Sequence, residues 1–374
     1  MDLLITMKLS NRSLWNHIFP ITSLKIVENI ILVRDMPGPD MDKVEYVTPS
    51  RYGVSSSILL APIKLLQLLR ASLVEKPSLI HSYLLFPHGY LAFIAGKLTG
   101  RKVGVSLIAG PVETYVMGGS PIGTYAYCHP LPQSNLLNRA ILSVLKRFDV
   151  ITTTGTYTKN YLISKGINEN KIFVLPHVVD ERFRPLDIKK DYDVIFIGRL
   201  APVKHVETLI RATVQIKEAL PSVRVAIVGD GEERIKLEDL TRSLGLTDHI
   251  DFVGYQTNTW KWYNRSKLSV VTSEREGFPY TVIESLKCGV PVVSSNCGDV
   301  CDIVEDSVNG IIVSDYQDYD GFAEAILKLL AHPENISDYS MNALRSVEDL
   351  SSRSVESTWE KILSIVGEND NNRE

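Results

Sequence analysis

Cysteine is scarce in this 374-residue chain. Its four cysteines, Cys128, Cys288, Cys297 and Cys301, form no C-x-x-C pair, which removes the usual signatures of a zinc ribbon or a dithiol redox site. They read as reduced thiols, the expectation for a cytoplasmic protein. Long apolar runs are missing as well, and none approaches the roughly 20 residues that a membrane-spanning helix needs. The opening MDLLITMKLSNRS lacks the basic region, apolar stretch and cleavage site of a secretory signal. The dinucleotide fingerprint is also incomplete. In VGDGEER (228–234) Arg234 stands where the last glycine belongs, which argues against an oxidoreductase. Three D-x-D triplets (Asp40/Asp42, Asp191/Asp193, Asp318/Asp320) follow no core strand and read as solvated rather than as a metal site.

What is present is ordinary globular composition, 44% hydrophobic and 22% charged, with an uneven division of charge. Residues 1–175 carry 18 Lys and Arg against 10 Asp and Glu, whereas the remainder carries 22 against 34. A basic half joined to an acidic half points the first half toward something anionic. Neither a basic helix nor clustered aromatics argues for nucleic acid. A phosphorylated substrate or an anionic membrane surface fits better, with the protein peripheral at the inner face.

Short β-branched runs alternate with helical patterns, the rhythm of parallel α/β structure. The first half has runs at 3–7, 30–34, 44–48, 79–83, 102–108, 150–154 and 171–176, with helical stretches at 58–73, 89–98 and 135–148. The second restarts at DVIFIG (193–198) and continues at 224–229, 250–254, 268–273, 290–295 and 310–313. Helices are expected near 204–219, 232–243, 279–288 and 318–331. This predicts two Rossmann-like doubly wound domains, 1–176 and 193–346, joined by a linker at 177–192. A final segment, 347–374, reads as a helix packing back across the junction. Ligands should bind at the C-terminal strand ends, in a cleft between the domains.

One stretch, EREGFPYTVIESLKCGVPVV (274–293), sets Glu276 and Glu284 eight positions apart. Glu276 falls on the loop after a core strand and Glu284 on the helix that follows. Pro279 suits the first turn and Gly289 the residue just past the end. Gly277 lets backbone approach a ligand, and the amides of Tyr280, Thr281 and Val282 open the helix as an anion site worth up to about 2 kcal/mol. Two carboxylates flanking an anion site suit neutral hydroxyls on either side of a phosphate group, which describes a nucleotide sugar. In IGRLAPVKHVETLI, Arg199 lies just past a strand end and Lys204 at the next helix start, a guanidinium and an ammonium for a diphosphate.

The ordered set G-R-L-x4-K, V-G-D-G, F-V-G, E-G-F-P-x4-E and C-G-x-P-V-V resembles the donor domain of the retaining glycosyltransferases of family 4, of GT-B fold. The resemblance implies that Arg199 and Lys204 bind the diphosphate and, with Glu276, form the catalytic set. It places Glu276 on the donor sugar with Gly277 and Phe278 beside it, Glu284 on the ribose, and Gly254 at the base. It implies sugar transfer with retention of configuration and no metal, onto a lipid-linked or polysaccharide precursor.

The first half departs from the family pattern. The loop after the first strand, KLSNRS (8–13), lacks the family's glycines and leaves Ser10 and Asn11 on the acceptor side. The family's histidine near the reacting sugar is replaced by Ala109, with Glu113 and His129 as substitutes. His88, ahead of a helix, is a further acceptor-side candidate, whereas His81 reads as a satisfied strand-end histidine. The long segment 115–133, with Tyr115, Tyr125 and Tyr127, reads as an acceptor-recognition loop. Two alternatives remain open: a nucleotide-sugar epimerase of the same architecture, and a non-catalytic nucleotide-sugar-binding protein.

Overall fold

The computed structural model describes residues 1–48, 60–114, 135–331 and 333–368. The chain divides into two compact units, one of Met1–Val178 with the segment from Leu350 onward, the other Val179–Asp349. His129, Cys128 and the tyrosines of 115–133 lie outside the described residues.

The first unit is built on seven described strands: β1 (Asp2–Thr6), β2 (Asn29–Val33), β3 (Val44–Val47), β4 (Leu79–Tyr83), β5 (Lys102–Leu107), β6 (Val150–Thr153) and β7 (Ile172–Val174). Their order is β3-β2-β1-β4-β5-β6-β7, parallel throughout. Covered on both faces, these strands read as continuous apolar runs, and alternate residues sort to opposite sides. Leu3 and Ile5 meet helix α1 (Asn11–Thr22) through Leu14, Ile18 and Ile21. Leu4 and Ile80 instead meet α2 (Ala61–Val74) and α3 (Tyr90–Thr99) through Leu68, Ala92 and Ala95. Farther along lie α4 (Asn135–Leu145) and α5 (Thr156–Ser164).

Of the stretch expected to be a loop, 8–13, residues 8–10 are irregular and 11–13 open α1. Ser10 is its cap, its hydroxyl accepting from the Ser13 amide at 3.2 Å, which satisfies one of the open donors at the helix start.

The second unit has six strands: β8 (Tyr192–Ile197), β9 (Val225–Val228), β10 (Ile250–Gly254), β11 (Ser266–Val271), β12 (Val292–Ser295) and β13 (Gly310–Val313), in the order β10-β9-β8-β11-β12-β13. Helices α6 (Val206–Ala219), α7 (Arg234–Ser243), α8 (Thr259–Asn264), α9 (Tyr280–Lys287), α10 (Tyr319–Leu330) and α11 (Pro333–Ser346) accompany them. Ahead of β8 the chain is pinned to α8. The Asn264 side chain accepts from Leu186 N at 2.7 Å and donates to Arg184 O at 3.0 Å.

The last helix, α12 (Ser352–Glu368), joins the first unit. Its Val355, Trp359 and Ile362 are buried with α1 and β1, and the Trp359 ring lies 5.1 Å from that of His81. Among the described residues no helix is long and apolar enough to cross a membrane. In both sheets the strand order reverses beside the first strand, between β1 and β4 and between β8 and β11. Such switch points open a crevice at the C-terminal strand ends.

Candidate active site

Lys204 and Glu276 are 72 residues apart in sequence, and the second switch point makes them neighbours. β8 and β11 lie side by side, so the turn after one touches the loop after the other. Two backbone ties fix the contact: Glu274 N donates to Val203 O at 2.9 Å, and Thr272 Oγ1 donates to Lys204 O at 2.7 Å. With both chains held, Lys204 Nζ forms an ion pair with Glu276 Oε1, and the same oxygen accepts from Ser273 Oγ at 2.7 Å. Lys204 sits at the end of a short turn, Pro202–Lys204, one residue ahead of the α6 start at Val206. The residue between them, His205, takes left-handed angles (φ 44°, ψ 44°) and lays its ring 4.4 Å from that of Tyr316.

Arg199, just past β8, turns toward β9, where Nη2 donates to Glu232 Oε1 at 2.7 Å. The backbone along this rim is close-packed. At Gly229 (φ +145°) an added Cβ would lie 1.8 Å from Gly198 O, and Gly229 N donates to Gly254 O at 2.9 Å. Gly254 itself has φ +79°. Only glycine gives so close an approach of three strand ends.

The loop that carries Glu276 is braced from β12. An added Cβ on Gly298 (φ +55°) would fall 2.3 Å from both Glu276 O and Gly277 O, and Asp299 N donates to Gly277 O at 2.8 Å. Cys297 is buried close by, and burial, with Glu276 beside it, pushes its thiol up to about 12, so it stays protonated. Phe278 is buried and Pro279 caps α9, which spans Tyr280–Lys287 as the sequence predicts, with Gly289 left-handed beyond its end. One expectation is corrected here. The Val282 amide is not open to an anion, because it donates to Pro279 O at 3.1 Å. The remaining residues at the helix start are Tyr280 and Thr281. Glu284 is 4% exposed, presenting little more than an edge to solvent.

The candidates of the first unit occupy its own strand ends. Asn11 is the first residue of α1, and its Oδ1 accepts from Arg34 Nη1 at 3.3 Å. His88 is fully buried, with Nδ1 2.8 Å from Thr6 Oγ1, and burial pulls its pKa down to about 3. Glu113 is also buried, and both its oxygens accept backbone N–H groups at 2.7 Å, one from Leu85 and one from Ala109. Burial raises its pKa to about 7 despite those bonds. It thereby ties the end of β4 to the end of β5. His81 is buried, with Nε2 2.8 Å from Ser106 Oγ.

Ser273, Glu232, His205 and Gly298 escape the sequence motifs. A serine three residues before Glu276 was the available signal for the first. The other three depend on strand order. Among the described residues no three His, Cys, Asp or Glu side chains gather as a metal site would need.

Two parallel-sheet units with strand-end rims of this kind define the GT-B class. A solved structure of this fold, Anabaena Alr3699/HepE in complex with UDP, superposes with a TM-score of 0.75 at 17% identity, covering 97% of this chain and 100% of that one. Sequence carries the assignment further. The family described as Glycosyl transferases group 1 matches residues 178–345, and Glycosyltransferase Family 4 matches residues 27–183. The D-inositol 3-phosphate glycosyltransferase 2 of Catenulispora acidiphila is 31% identical over 303 residues, 74% of this chain and 68% of that protein. The N-acetyl-alpha-D-glucosaminyl L-malate synthase of Bacillus anthracis is 24% identical over 310 residues, covering 80% and 77%. The chain belongs to glycosyltransferase family 4, and it is a glycosyltransferase.

Proposed function

We propose that the second unit binds a nucleoside diphosphate sugar and that the enzyme transfers the sugar with retention, without a metal. One observation carries this reading: the Lys204–Glu276 ion pair at the switch point between β8 and β11. A diphosphate competes for the ammonium and sugar hydroxyls compete for the carboxylate. The donor therefore replaces each half of the pair with a partner of matching chemistry. Arg199 adds a second cation along the same rim. Together the two offset the charge that builds on the leaving diphosphate as its bond to the anomeric carbon breaks. The acceptor oxygen bonds to that carbon on the face the leaving group vacates, and its proton passes to the departing phosphate oxygen. That route needs no protein base, which suits a chain with Ala109 where the family has histidine and with Glu113 held by two amides.

The donor reading also draws on the HepE structure, which holds UDP. For the acceptor, the relative that acts on D-inositol 3-phosphate and the basic first half both favour a phosphorylated or lipid-phosphate-borne molecule. Replacement of the family histidine is also what a non-catalytic nucleotide-sugar-binding protein would show, and turnover separates the two readings. The test is turnover over a panel of nucleotide sugars in excess chelator, with the anomeric configuration of the product read by NMR. Retained configuration at undiminished rate is expected. Inverted product, loss of turnover with chelator, or conversion of donor without an acceptor contradicts the proposal.

A further inference from the structure

The five helices α1–α5 of the first unit contain no aspartate or glutamate, against six lysines and arginines. The bias is confined to these five, since α12 of the same unit carries Glu356, Glu360 and Glu368. Within them Lys64 is buried against Asp35 and Lys159 pairs with Glu169. That leaves Arg70, Lys97 and Arg139 as exposed cations that an anionic partner could select. The helices of the second unit show no such bias; α6, for example, carries Glu207 and Glu218.

On α2 and α3 this cationic character coincides with uncovered apolar surface. Along α2, Ile63, Leu66, Leu73 and Val74 are exposed, and their spacing puts them on one helical face with Arg70 at its centre. The stripe runs about 16 Å. Leu66, Leu73 and Val74 are 64–66% exposed, values that fit neither a core position nor a half-covered edge. α3 lies against α2, joined by the Ser72–Thr99 hydroxyl contact of 2.7 Å. It adds Ile94 and Leu98, the latter 71% exposed, with Lys97 between them. Glu75, just past α2, lines a groove with Asp2, Asp40, Asp42 and Glu45 at the far end of the stripe, and Lys76 follows it. The opposite face of both helices is buried on the sheet through Leu68, Ala92 and Ala95, so folding has no further use for the exposed one.

We infer that the outer face of α2 and α3 docks the enzyme on an anionic lipid surface, with the leucines entering the headgroup boundary and Arg70, Lys76 and Lys97 meeting the lipid phosphates. Apolar residues interleaved with cations are the make-up of an interfacial helix. A second copy of this chain is a poorer occupant, since pairing the face with itself sets cations against cations. The placement also suits the acceptor side. The first turns of α2 reach the strand-end rim, where Lys64 pairs with Asp35 just past β2. An acceptor held in the lipid surface would meet the enzyme at that rim. The inference does not rest on donor chemistry, because binding is read without turnover.

The experiment is co-sedimentation of the full chain with phosphatidylcholine vesicles and with vesicles of phosphatidylcholine and phosphatidylglycerol mixed three to one. Binding only to the mixed vesicles, weakening with salt, is expected. The surface variants Leu66→Ser/Leu73→Ser/Leu98→Ser and Arg70→Glu/Lys97→Glu should each weaken it by roughly tenfold or more, with melting temperatures near wild type. The exposed pair Trp15 and Phe19 lies on α1, which covers the other face of the sheet, so Trp15→Ser/Phe19→Ser should leave binding unchanged. Equal binding to both vesicle types overturns the inference. So does loss of binding in the α1 variant alone, or a dimer that the leucine variant dissolves in a protein that ignores vesicles.

Discussion

Lys204 and Glu276 neutralise each other in the free site, which keeps a partly buried ammonium and carboxylate from standing uncompensated. Other ionisable residues solve burial by giving up charge. His81 and His88 are pushed by desolvation from 6.5 to about 3, so both are neutral in the fold. The unfolded chain takes up protons below 6.5 while the folded one does not. Their stabilisation is therefore complete above 6.5 and drains away as pH falls toward about 3, at up to about 1.4 kcal/mol per pH unit for each. Glu113 acts oppositely: its pKa is raised from 4.5 to about 7, so its contribution is present at low pH and lost as pH rises through that window. Urea midpoints measured from pH 6.5 to 4.5 should thus fall less steeply in His88→Asn than in wild type. They should fall more steeply in Glu113→Gln. Identical slopes in all three proteins would contradict the assignment.

At the scale of elements, the loop that carries Glu276 is only as fixed as its brace. Gly298 sits against the carbonyls of Glu276 and Gly277 with no room for a Cβ, and its φ of +55° strains any other residue. Gly298→Ala should cost about 1–3 kcal/mol of stability and also weaken donor binding, because the loop must move to admit the methyl group. Calorimetric melting and donor titration check both effects, and a variant normal in both would show that the brace is not needed. The strands were legible in sequence because each is a β-branched run bounded by turn residues and buried on two sides. Helix α1 was not, since its start is polar and it carries Pro20 inside. Helix α11 was missed for want of apolar residues in PENISDYSMNALRS. The motif residues Lys204, Glu276 and the bounds of α9 could be read directly. Gly298, Glu232 and His205 could not, because which loops touch is set by strand order, and a single sequence does not reveal strand order.

For the whole molecule, the proposed division of labour follows the division of charge. On the proposed reading, the acidic half holds a local pair of cations for a diphosphate, and the basic half offers α2 and α3 to an anionic surface. Donor binding should then be insensitive to changes in the first unit. The decisive measurement is calorimetric titration of uridine, guanosine and adenosine diphosphates into wild type, Lys204→Ala and His88→Asn. The account predicts that at least one nucleotide binds wild type and His88→Asn alike, and that Lys204→Ala loses about tenfold or more of that affinity, as removal of a charged hydrogen-bond partner implies. Binding that is undiminished in Lys204→Ala, or absent for every nucleotide in wild type, would contradict it.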